Sequence, residues 1–119
     1  MISLLVDEAY AFDYLSILFI KKDFSEKNNK NWSICYNYLK NQINNNELWN
    51  TIIESDEFNE MVKSNKITFD AVDKAKNDQV TAQYVDKCNY RRYIAKQNFQ
   101  KKFFDSSLLE QKFGYENYK

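Results

Sequence analysis

Over 119 residues the chain contains no proline and one glycine, Gly114. β-Sandwiches and barrels need a turn every few residues, and tight turns draw on Gly for positive φ and on Pro for a fixed φ. A chain with a single glycine and no proline is left with helices, whose interiors reject both residues. The same shortage removes the glycine-rich cradles that hold dinucleotides and phosphates. Histidine is absent as well, which removes histidine triads, histidine zinc sites and imidazole acid–base catalysis. The expected fold class is all-α: a small helical bundle or antiparallel helical hairpins, in a single domain over residues 1–119.

Composition narrows the class further. Hydrophobic residues at 44% and charged residues at 29% describe a globular chain. Lys+Arg and Asp+Glu are 17 each, so net charge points to neither nucleic acid nor membrane. The fifteen asparagines fit the drift of an AT-rich genome, so single Asn or Lys residues carry little weight. Nine Tyr, nine Phe and two Trp are harder to set aside, because that much aromatic surface exceeds what a small core needs and hints at a partner or an oligomer. Cys35 and Cys88 lie 53 residues apart with no CxxC spacing. They read as reduced, buried thiols of a cytoplasmic protein. Asp7 and Glu8 stand where a signal peptide is basic. No metal and no cofactor is expected.

Along the chain, Ile2 to Val6 is apolar and β-tolerant, and Asp7 offers an N-cap. Glu8 to Phe24 reads as a helix apolar on every side, hence a buried core helix, with an uncharged run too short to span a membrane. Ser25 to Asn29 reads as a loop. A second helix from about Lys30 to Asn44 turns Trp32, Cys35, Leu39 and Ile43 inward, and Asn44-Asn45-Asn46 breaks it. A third starts near Glu47, buries Leu48, Trp49, Ile52 and Ile53, and extends toward Val62. Ser64-Asn65-Lys66 reads as a turn and Thr68 as the N-cap of a long helix from Phe69 to about Phe104. Its seam runs through Val72, Val80, Tyr84, Cys88, Ala95, Phe99 and Phe103. Some 36 residues would reach ~54 Å. Such a helix needs cover from residues 105–119 folding back, a break near Asn77-Asp78, or another subunit. Tyr90, Tyr93, Gln97 and Phe104 form a second stripe that favours self-association.

Charge is uneven. Lys87, Arg91, Arg92, Lys96, Lys101 and Lys102 follow one another without an acid, interleaved with aromatics. Such a stretch can hold nucleic acid by phosphate neutralisation and stacking. The expected reading is that it pairs with the acidic half of the chain. On a helical wheel Arg92 falls inside the seam of Cys88, Ala95, Phe99 and Phe103. Asp13 falls inside a stripe of Tyr10, Ile17, Ile20 and Phe24. A lone buried charge is costly, so the two are expected to meet as an ion pair. Glu57-x-x-Glu60 and Asp70-x-x-Asp73 each share a helix face and have the spacing for a divalent cation. They loosely resemble the acidic motif of all-helical nucleotide pyrophosphohydrolases; the expected reading is a solvated surface.

Val6, Asp13, Leu15, Ser16, Ile17, Leu18, Ile20 and Lys21 form the pattern V-x6-D-x-[IL]-[ST]-I-L-x-I-K. It resembles the opening of a family of short, uncharacterised helical proteins of bacteria and phages. Glu47-Leu48-Trp49, then Val85, Asn89, Arg92 and Lys96, and the ending Glu110-x-Lys112 with Tyr115 are similar too. Where that family has Gly-Glu before its first helix, Ala9 and Tyr10 stand here, and Phe19 stands where it has Glu. The resemblance implies an all-helical fold and no known activity. It marks Asp13, Asn89, Arg92 and Lys96 as matching polar positions.

Three functions follow, in order. The first is a non-enzymatic protein acting through protein contacts, a homo-oligomer with a dimer as first guess. The second is a small-ligand or anion binder, or an enzyme, using Asp13, Asn89, Arg92 and Lys96 between helices. The third is nucleic-acid binding through residues 87–102.

Overall fold

The computed structural model describes residues 1–104, and the expected fold-back of 105–119 lies outside the described residues. Five helices follow in order: α1 (Glu8–Lys21), α2 (Glu26–Ile43), α3 (Asn46–Ile53), α4 (Asp56–Lys76) and α5 (Ala82–Phe103), with a 3-10 turn at Lys22–Phe24 after α1. Among the described residues there is no strand. The all-α expectation holds.

Side chains do the punctuation that Gly and Pro do elsewhere. Each helix starts on a short polar residue whose oxygen accepts an orphan N–H of the first turn. Asp7 takes Tyr10 N, Ser25 takes Asn28 N, Asn45 takes Leu48 N, Ser55 takes Phe58 N, and Thr81 takes Tyr84 N, all at 2.9–3.1 Å. Two polar residues occupy the left-handed region that usually calls for glycine: Asn44 (φ 52) after α2 and Asp78 (φ 56) after α4. Ser55 splits the third helix expected to run toward Val62, and Ser25 starts α2 where a loop was expected.

The long Phe69–Phe104 helix is also divided. Asn77 to Thr81 turns the chain back, so α4 and α5 form an antiparallel hairpin with the most extensive packing in the fold. Of the three ways to accommodate that length, the break near Asn77-Asp78 is the one observed. A 21-residue α4 is ~32 Å long, so the overhang that argued for a second subunit is gone. Ser64-Asn65-Lys66 and Thr68, expected as a turn and a cap, lie inside α4. There Ser64, Asn65 and Thr68 are buried, and the Thr68 hydroxyl donates to Ser64 O at 2.8 Å.

α1 lies against α4, α2 and α5. Phe12 is the hub of the core, with ring centroids 5.6 Å from Trp49, 5.1 Å from Phe99 and 6.2 Å from Phe104, and an edge-on contact to Phe58. Leu15, Ile52, Met61 and Ala95 fill the space around it. Trp32, Cys35, Leu39 and Ile43 pack on this cluster from α2, and Leu48 and Ile53 from α3, as their spacing predicts. Trp49 donates its indole N–H to the Tyr36 hydroxyl at 3.1 Å, so no polar atom of that ring is stranded. Phe104 belongs to the core rather than to an outer stripe. α1 itself is not buried all round: Tyr10, Tyr14 and Phe19 face solvent.

Candidate functional site

Beside the apolar core, the contact of α1 with the α4–α5 hairpin is polar. Asp13 and Ser16 project from successive turns of α1, Asn65 from the middle of α4, and Asn89 and Arg92 from one face of α5. Asn65 is fully buried, and its amide Nδ2 donates to Asp13 Oδ1 at 2.9 Å and to Ser16 Oγ at 2.6 Å. Ser16 in turn donates to the backbone O of Asp13 at 2.6 Å. The second Asp13 oxygen, Oδ2, faces Arg92 Nη2 at 3.5 Å, the ion pair expected from the helical wheel. Arg92 Nη1 donates to Asn89 Oδ1 at 3.3 Å.

The arrangement joins three helices through one carboxylate. Both oxygens of Asp13 are engaged, one by an amide and one by a guanidinium, which is the condition under which a largely buried charge is tolerated. Asp13 and Arg92 side chains are 12% and 24% exposed, so the pair is mostly covered while the arginine keeps an edge on solvent. Among the described residues Asn65 Oδ1 and Arg92 Nε are buried without a hydrogen-bond partner. Three of the four predicted residues therefore meet: Asp13, Asn89 and Arg92. Lys96, one turn further along α5, has its ammonium 5.6 Å from the Tyr10 ring centroid, a cation–π contact.

Two members of this polar interior carry no sequence signal of their own. Asn65 sits in what composition marks as a turn. Gln100 is a single amide in the seam, fully buried, whose Oε1 accepts Ala9 N at 2.7 Å while its Nε2 donates to Glu8 Oε1 at 2.9 Å. It caps the start of α1 from 91 residues away. The periodicity of α5 puts Gln100 in the seam, but which group it serves depends on how α1 crosses.

The basic stretch meets acids of α4. Arg91 Nε lies 2.8 Å from Glu60 Oε1, and Lys102 Nζ 3.9 Å from Glu57 Oε1. The guanidinium beside Glu60 holds that carboxyl below its ordinary value, and Glu60 likewise raises Arg91. Glu57 and Glu60 are thus engaged across the hairpin. Among the described residues no group of three or more Cys, Asp or Glu is placed to hold a metal ion. An open groove of about 590 Å³ beside these pairs is lined by Asp56, Glu57, Glu60, Asn98, Lys101 and Lys102, with both signs of charge. Burial pushes the Cys35 thiol up, away from the thiolate, and the described cysteines are both free. Among the described residues no helix is long and apolar enough to cross a membrane.

No known protein family, curated protein or solved structure matches the chain.

Proposed function

We propose that this chain is a non-enzymatic helical domain that works through protein contacts, with a second copy of itself as first partner in a dimer. The observation that carries the reading is the outer face of α1. The polar network and Gln100 hold the helix from beneath, and it presents Tyr10 and Tyr14 outward at 53% and 55% exposure, while Phe19 lies on another side against Trp32. Scattered apolar side chains need no explanation, but two large aromatic ones side by side on successive turns, next to the exposed apolar residues Ile2, Leu4 and Leu5, mark an interaction surface. The network beneath supports the same reading, because its carboxylate is spent on an amide and a guanidinium rather than held ready for a substrate. Kinship with the uncharacterised helical family and a cytoplasmic location, in keeping with two free thiols, belong to this proposal. Dimerisation stabilises the folded state by mass action, so the thermal midpoint is expected to rise with protein concentration. A midpoint unchanged between ~1 and ~100 μM would contradict it.

A second reading, a small-ligand or anion site at Asp13, Asn89, Arg92 and Lys96, is favoured by the bare Nε of Arg92 and its exposed edge. Stabilisation by millimolar phosphate or acetate that disappears in Arg92→Met, with no effect of protein concentration, would put this reading first. Nucleic-acid binding ranks third, because Arg91, Arg92 and Lys102 are each engaged by a carboxylate.

A further inference from the structure

We infer that two copies associate by exchanging the apolar arm Ile2–Val6, each arm lying across the Tyr10–Tyr14 face of the other copy's α1. This rests on the self-association reading and names its surface. Ile2, Leu4 and Leu5 are 93%, 77% and 90% exposed, an apolar run broken only by Ser3 and left open until Val6, which is half-buried at its base. Asp7 and Gln100 fix the first turn of α1, so the arm leaves from a defined point. Five extended residues reach ~17 Å. Tyr10 and Tyr14 are one turn apart, ~6 Å along the helix. One arm therefore covers both rings of a partner with length to spare.

The surface available approaches what a dimer needs. From their exposures, Ile2, Leu4, Leu5, Tyr10 and Tyr14 offer at most roughly 700 Å² per copy, a little under the ~800 Å² per partner of a standard interface. The patch is also self-complementary. Each copy carries an aliphatic arm and an aromatic seat, so a two-fold axis satisfies both at once and leaves neither open, the closure expected of an isologous dimer. A lipid surface is the poorer occupant. Residues 1–20 contain no Lys or Arg, while Asp7, Glu8 and Asp13 sit at and beyond the base of the arm, and anionic headgroups attract basic segments.

The test uses the full chain with a photo-crosslinking amino acid in place of Leu4, mixed with isotope-labelled copies. The expected adducts join labelled and unlabelled chains, between position 4 of one and residues 8–21 of the other. In parallel, Leu4→Asp with Leu5→Asp should raise the dimer dissociation constant by at least about 30-fold, read by light scattering. Both positions are exposed, so the far-UV spectrum should not change. Adducts confined to one chain, or mapping elsewhere, overturn the arm exchange. So does unchanged dimerisation of the double variant, which leaves self-association standing on another surface. A wild-type chain that stays monomeric overturns both. Adducts to phosphatidylserine vesicles in place of protein would assign the arm to a membrane.

Discussion

Removing either partner of the Asp13–Arg92 pair should destabilise the fold more than its geometry alone suggests, because the survivor is left largely covered. Arg92→Met leaves the Asp13 carboxylate, 12% exposed, with the Asn65 amide as its remaining partner. Breaking a fully buried pair costs about 3–5 kcal/mol; discounting for residual exposure gives about 3 kcal/mol here. Asp13→Asn keeps an acceptor for Asn65 and strands Arg92, which at 24% exposure still reaches water and Asn89. That single change should cost about 2 kcal/mol. Once the carboxylate is gone, Arg92→Met loses only packing, about 1 kcal/mol, so the double variant should be destabilised by about 3 rather than 5 kcal/mol. Urea denaturation followed by far-UV circular dichroism at pH 7 measures all four corners of the cycle. The Arg92→Met midpoint temperature should fall by about 10 °C in a domain of this size. Most of the coupling should survive 1 M NaCl, since covered pairs are weakly screened. Additivity within ~0.5 kcal/mol would refute the reasoning and make the two charges independent.

Gln100→Leu should cost about 2 kcal/mol in the same assay, because it orphans the Ala9 N–H and removes the amide bound to Glu8. Asp78→Gly should stabilise by about 0.5–1 kcal/mol, since glycine enters the left-handed region at φ 56 without the Cβ penalty. The depressed carboxyl of Glu60 contributes stability that is complete above its ordinary 4.5 and is lost as pH falls through its lower folded value. Glu60→Gln should therefore flatten the acid limb of the stability profile, by less than about 1 kcal/mol because the pair is well exposed.

What the sequence made legible is what depends on neighbours along the chain. Asp7 reads as a cap because its oxygen needs only the N–H three residues on. Asp13 and Arg92 stand out because a charge inside an apolar stripe must find a counter-charge, whichever helix carries it. Ser64, Asn65 and Thr68 depart from their local propensity for the converse reason. Local composition favours a turn, but Asn65 gains hydrogen bonds to residues 52 and 49 positions away, and Thr68 back-bonds to Ser64. Tertiary contacts overrode propensity there. The single long helix failed at Asp78, because Asp enters the left-handed region at lower cost than most residues, so lack of Gly and Pro does not guarantee continuity. α1 reads as buried on all sides because Leu15 and Phe19, Ala11 and Leu18, and Ile17, Ile20 and Phe24 fall on different sides of the wheel. In a small bundle, however, its neighbours α2, α4 and α5 leave one side open, where Tyr10 and Tyr14 are exposed. Lys96 shares a face with Asn89 and Arg92, but its longer stem reaches the Tyr10 ring instead.

Self-association is read out by sedimentation equilibrium of the full chain over a range of micromolar concentrations. A reversible shift from the 14.3 kDa monomer toward twice that mass is expected as concentration rises. A mass fixed at 14.3 kDa throughout that range would contradict it.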